Sequence, residues 1–345
     1  MSSKNKKQKV FVAMSGGVDS AVAAALLKKN GYDVTGVHMV CWDGCENSED
    51  RRDAMKVAAV LSIPFLTWDF REKYKKEVYD YMISEYIAGR TPNPDVMCNK
   101  QIKFGIFLKK ALEAGADFIA TGHYVRLQNS KLFHAKDSNK DQSYFLWTLT
   151  QNQLKYCLFP IGGYLKSEVR ELAKKFKLPN FKKKDSQGLC FVGKVDFSDF
   201  LKEKIPTRAG DILNFSGKKI GIHEGAHFYT IGQRAGLGIS GMPNPLYVAK
   251  KNIAINTITL AEIQNEALYK TEIRLENLNW ISNKIPEIPF SCLARIRYRQ
   301  PLQKATSRQA GFKLHFENPQ RAVSSGQSAV FYTLKGELLG GGVIV

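Results

Sequence analysis

The sequence predicts an α/β protein: a doubly wound parallel sheet, followed by a small β domain and a C-terminal β-barrel. Two observations predict it. Strand and helix patterns alternate through the first 130 residues or so, as in a parallel sheet covered on both faces. Beyond about Pro206 helical periodicity nearly vanishes, and short alternating strands punctuated by Gly, Asn and Pro take over. The corresponding segments are residues 1–200, 201–268 and 269–345.

The elements follow in order. Strand VFVAM gives way to helix DSAVAAALLKKN, which Gly31 stops. Strand DVTGVHMV precedes a helix over DRRDAMKVAAVL, then strand IPFLTWDF. A long helix over EKYKKEVYDYMISEYIAG and another over IKFGIFLKKALEAG lead to strand DFIATGH. A hairpin over VRLQNSKLFHAKD, the segment DQSYFLWTLT and a helix over SEVRELAKKF come next. Strands DILNF, KKIGIH, PLYVA, ARIRYRQ, FKLHF and SAVFYTL fill the rest. In open parallel sheets ligands sit beyond the carboxyl ends of strands. SGGVDS, the residues after HMV, and Thr121–His123 all fall at such ends.

Composition narrows the class. The formal net charge is +19 over 345 residues, which fits a solubilising surface and, equally, a polyanionic partner such as nucleic acid. No apolar run approaches the ~20 residues of a membrane span, and the basic start MSSKNKKQK lacks a signal-type apolar core. The expectation is a cytoplasmic protein with no membrane association. Six scattered cysteines with no CxxC pair do not make a disulfide scaffold. Cys41 and Cys45 resemble half a metal site that nothing nearby completes.

Three motifs carry chemistry. SGGVDS (Ser15–Ser20) joins a strand to a helix, so its glycines and the helix N-terminus can hold phosphate. It lacks the lysine of the common nucleotide loop, and Asp19 suits Mg²⁺ rather than phosphate. Read alone, it is also an ordinary turn with Asp19 as a cap. In GRTPNPDVMCNKQIKFG, Asp95 stands three residues before Cys98. The prolines predict a stiff loop with a helix beginning near Asn99, whose N-terminus would favour a thiolate at Cys98. Asp95 could serve as general acid or base. A capping Asp and a buried Cys fit equally. In KKKDSQGLCFVG, Cys190 follows three lysines, whose charge favours thiolate and RNA. A buried cysteine ahead of Phe191 and Val192 fits too.

SGGVDS resembles the PP-loop of ATP pyrophosphatases, which cleave ATP between the α and β phosphates and transfer AMP to a carbonyl oxygen. The ordered set SGGVDS, GRTPNPDxxCN, ATGHY, SNKDQSYFL, KKKDSxGxCF, GQRxGLGI and RIRYRQ resembles the tRNA-specific 2-thiouridylases over nearly the whole chain. The resemblance implies a PP-loop, adenine nucleotide alpha hydrolase-like domain that binds ATP through Ala13, Met14, Ser15, Gly16, Gly17, Val18, Asp19 and Ser20, with Met39 and Gly122 on the adenine side. It implies that Asn93, Pro94 and Asp95 receive the target base, that Cys98 is the catalytic thiol, and that Cys190 carries a persulfide. Lys140, Asp141, Gln142, Arg297 and Tyr298 would touch tRNA. Mg²⁺ would accompany ATP, with no site made by protein alone. The sulfur would come from a sulfur-relay or cysteine desulfurase protein. The RNA would be the anticodon stem-loop of tRNAs for Lys, Glu and Gln, and the enzyme a monomer. Cys41 and Cys45 receive no role. Another PP-loop enzyme, such as an amide-forming synthetase, and a catalytically inactive tRNA-binding protein are the competing readings.

Overall fold

A computed structural model describes residues 7–43, 47–185, 197–309 and 313–345. Its first layer is a five-stranded parallel sheet. Strands β1 (Lys9–Ala13), β2 (Asp33–Val40), β3 (Phe65–Asp69) and β4 (Phe118–Ala120) come from segments whose alternation foretold them. The antiparallel hairpin β5 (Val125–Gln128) and β6 (Lys131–His134) follows, then β7 (Cys157–Leu158). The order is β3-β2-β1-β4-β7, all pairs parallel. At two residues β7 is too short to show a pattern in sequence.

The helix Val18–Lys29 is buried nearly all round, which is why it reads as alanine and leucine without a polar stripe. It lies between the sheet and the helix Lys166–Lys175. The stretch 71–87 is one continuous helical run, and 94–113 is another. The second begins at Pro94, with Asn93 as its cap: the Asn93 side chain accepts from the Val96 N–H at 3.2 Å. The helix therefore starts a turn earlier than the sequence suggested. Proline at the first helical position loses no hydrogen bond and presets φ, so TPNP enters the helix. From Cys98 to Ile106 the helix widens into the π form.

A second sheet holds β8 (Gly210–Leu213), β9 (Lys219–His223), β10 (Leu246–Asn252) and β11 (Thr257–Glu262), in the order β10-β11-β8-β9. The barrel closes through β12 (Tyr269–Trp280), β13 (Phe290–Arg295), β14 (Gln303–Gln309), β15 (Lys313–Arg321), β16 (Ser328–Tyr332) and β17 (Leu338–Ile344), in the order β12-β15-β14-β13-β16-β17. The ARIRYRQ strand is corrected: β13 ends at Arg295, and Arg297–Arg299 form a turn with Arg299 at positive φ.

Candidate active site

The carboxyl ends of β1 and β4 meet at SGGVDS. Ala13 and Met14 are buried and continue β1, with Met14 N–H donating to Val37 C=O at 2.8 Å. Gly16 has φ +79°, and a Cβ there would collide with the Asp50 carbonyl; only glycine makes this turn without strain. Gly17 caps the helix from Val18 without a side-chain bond. The first helical N–H groups are thus left for an anion. Ser20 Oγ closes the loop by donating to Gly17 C=O and accepting from Ser15 N–H.

The segment Thr121–Tyr124 joins this loop to the second motif. A Cβ on Gly122 would sit 2.6 Å from Ser20 N, so glycine lets β4 touch the loop. Tyr124 OH donates to Asp19 at 2.8 Å. His123 stacks near Phe104, at 5.8 Å between ring centroids, on the helix that carries Cys98. Burial, helped by the nearby Lys103 charge, pushes the His123 pKa well below its usual value, so it is neutral at pH 7.

The lysine absent from the loop arrives from elsewhere. Lys166 Nζ, 12% exposed in its side chain, donates to both Asp19 oxygens at 2.7 and 2.8 Å and to Asp185 at 2.7 Å. Lys140 and Arg170 also bind Asp185, at 2.6 and 3.1 Å. Burial raises the Asp185 pKa, but the hydrogen bonds from Lys140 and Lys166 outweigh it and hold it at about 2. Asn180 Nδ2 donates to Gly16 C=O at 2.9 Å, and Lys183 pairs with Asp50 and Asp53. Residues 180–185 are therefore pinned to the phosphate loop. Cys190, five positions further on, lies outside the described residues.

The helix start fits ATP: uncapped N–H groups face the loop, and Lys166 stands beside Asp19 to answer phosphate charge. Among the described residues no group of three metal-type ligands occurs.

Asn93, Pro94 and Asp95 occupy the cap and first turn of their helix, where all three segments of the chain meet. Thr91 N–H donates to Ser325 C=O, Gln327 Nε2 donates to Thr91 C=O, and Thr91 and Thr230 share a hydroxyl contact at 3.2 Å. Cys98 is fully buried, in one core cluster with Met39 and Cys41. It lies past the first turn, so the helix-end field reaches Asp95 more than Cys98.

The five residues expected at tRNA divide. Asp141 is 5% exposed, and its carboxylate holds Arg295, Ser143 Oγ and the Ala135 N–H inside the protein. Gln142 Oε1 accepts from Tyr124 N–H. Arg297 spans to the Ile231 and Ala322 carbonyls, tying the second sheet to the barrel. Tyr298 stacks on Phe145 at 4.5 Å. Lys140, paired with Asp185, keeps a partly exposed charge. Lys166, Tyr124, Asn180, Asp185 and Arg295 escaped the sequence reading, because nothing in their local spacing announces partners that lie elsewhere in the chain, more than a hundred positions away for all but Asp185.

Family models described as a tRNA methyl transferase HUP domain, a tRNA methyl transferase PRC-barrel domain and an aminomethyltransferase beta-barrel domain match residues 8–194, 198–262 and 270–344. The tRNA-specific 2-thiouridylase MnmA 2 of Geobacillus kaustophilus is 45% identical over 350 residues, covering 97% of this chain and 94% of that protein. The tRNA-specific 2-thiouridylase MnmA of Streptococcus thermophilus is 42% identical over 358 residues, covering 99% and 96%. That of Francisella tularensis subsp. novicida is 43% identical over 359 residues, covering 99% and 100%. The family models' names speak of methyl transfer, whereas these relatives, aligned end to end, are named for thiolation. With the loop, the Asp95–Cys98 helix and the closing barrel carried together along the whole length, the chain belongs to the tRNA-specific 2-thiouridylase family.

Proposed function

We propose that this protein is an ATP-dependent tRNA sulfurtransferase that makes 2-thiouridine at the wobble position. The observation that carries the reading is identity above 40% to 2-thiouridylases across at least 97% of the chain. The site gives it a chemistry. SGGVDS would hold ATP, with Asp19 the carboxylate for Mg²⁺, Lys166 the cation for phosphate, and Met39 and Gly122 on the adenine side. Mg²⁺ offsets phosphate charge when bound. The uracil O2 attacks the α phosphorus, pyrophosphate leaves, and C2 then carries a good leaving group. The terminal sulfur of a Cys190 persulfide adds to C2, and AMP departs with the oxygen. Cys98 thiolate attacks Cys190 Sγ and breaks the S–S bond. Sulfur stays on C2, and a Cys98–Cys190 disulfide remains for an external thiol to reduce. Asp95 manages the proton at the base, which leaves its stack to reach the site.

The finer parts of the reading are anticodons of tRNAs for Lys, Glu and Gln, a sulfur-relay or desulfurase donor, a cytoplasmic monomer, and domains at 1–200, 201–268 and 269–345. Lys140 and Tyr298 are the proposed direct tRNA contacts. Asp141, Gln142 and Arg297 shape the surface they stand on. Mass spectrometry of tRNA from a strain lacking the gene tests the central claim. Loss of 2-thiouridine is expected; unchanged 2-thiouridine sinks it. AMP formation that requires tRNA separates the reading from an amide-forming synthetase and from an inactive binder.

A further inference from the structure

Asn99 follows Cys98 directly and is 3% exposed. Its Nδ2 donates to the Phe145 carbonyl at 3.3 Å. Its Oδ1 is buried and has no hydrogen-bond partner among the described residues. An amide oxygen in that state loses its solvation with nothing in return, so buried polar groups are seldom left so. A carbonyl only accepts, so the Phe145 bond fixes which way the amide faces. The open atom of Asn99 is therefore an acceptor, and rotation of the side chain cannot turn it into a donor. The ring of Phe145, the residue that Asn99 bonds, packs against Tyr298 at 4.5 Å between centroids with planes tilted by 48°, and aromatic side chains are the groups on which unstacked bases rest.

We infer that Asn99 is the specificity-determining residue for uracil: Oδ1 accepts the N3–H of the target base. The inference rests on the thiouridylase reading. The reacting atom is C2, and N3 is bonded to it. The group that reads N3 must therefore stand next to the groups that act on C2. Asp95, the residue proposed to manage the proton at the base, and Asn99 are four positions apart on one helical run, so their side chains are neighbours on one face. Uracil carries a proton on N3. Cytosine carries a lone pair there, which would face the Asn99 oxygen and leave both acceptors unpaired. The π form of Cys98–Ile106 belongs to the same picture, since such helices are rare and concentrate at functional sites.

The test uses the full-length enzyme and three anticodon stem-loop RNAs, with uridine, cytidine or 3-deazauridine at the target position. The last keeps the shape of uracil but has C–H in place of N3–H. Single-turnover AMP formation is measured. The wild-type enzyme should prefer uridine over 3-deazauridine by about 10- to 100-fold, and should not use cytidine. Asn99→Ala should lose about that factor on uridine and change little on 3-deazauridine. Wild-type rates on uridine and 3-deazauridine within about twofold of each other, the scatter of independent effects, overturn the assignment without any variant. Equal slowing of both RNAs by Asn99→Ala also overturns it and makes Asn99 a packing residue. No AMP from wild type on the uridine RNA overturns the thiouridylase reading itself, a result distinct from either.

Discussion

Lys166 reaches Asp19 from 147 positions along the chain and does for the phosphate loop what its own sequence does not. A lysine bound to the two carboxylates Asp19 and Asp185 beside the loop can exchange one partner for phosphate, since its charge stays satisfied throughout. Lys166→Met should lower the kcat/KM of AMP formation by about 10²–10³, the usual loss for one electrostatic contact in a water-poor site. Asp19→Ala should abolish AMP formation. Both should keep tRNA affinity within about twofold, as read by filter binding; normal AMP production by Asp19→Ala would move the nucleotide site elsewhere. On the proposed mechanism the cysteines have separate tasks. Cys98→Ser and Cys190→Ser should each stop 2-thiouridine formation yet still release AMP, because neither thiol attacks ATP. Labelled sulfur should mark Cys98→Ser and leave Cys190→Ser unmarked. The reverse labelling exchanges their roles.

At the scale of elements, the helix from Pro94 is held by its neighbours rather than by its propensity. Its cap is Asn93, its approach is bonded to Ser325 and Gln327 on the barrel side, and Asn99 ties it to the short helix Ser143–Leu146. That short helix is fixed in turn by Asp141, whose carboxylate meets Arg295 at the end of β13, with Tyr332 and Ser143 filling the remaining hydrogen bonds. Both ions are over 90% buried, so removing one leaves the other uncompensated. Arg295→Met should destabilise the protein by about 3–5 kcal/mol. Adding Asp141→Leu to it should recover part of the loss. Urea unfolding of the two variants measures both. A loss under about 1 kcal/mol for Arg295→Met would mean that the barrel docks without this pair.

The whole molecule carries its +19 charge unevenly in function. Lys183 is spent on Asp50 and Asp53, while Lys182 and Lys184 on either side of it are exposed. Binding of tRNA should weaken steeply with salt, by about one unit of slope in log K against log salt for each phosphate contact. Lys182→Ala and Lys184→Ala should each reduce that slope; a flat salt response would leave the charge as a solvated face. The chain's own order of residues determined the parallel sheet, the phosphate loop and the Asp95–Cys98 pair. Each of these is local: hydrophobic period, glycine at a turn, and a fixed spacing suffice to write it. RYRQ misled for the same reason, because alternation continued past the point where β13 stops and the backbone turns at Arg299. The two-residue β7 had too few positions to alternate at all. Tertiary structure alone decided that Lys166 serves Asp19, that Asp141 and Arg297 face inward, and that Asn99 keeps an open acceptor. These facts depend on groups far apart in the chain being desolvated together, and no local pattern records which distant partner a buried charge or amide will meet.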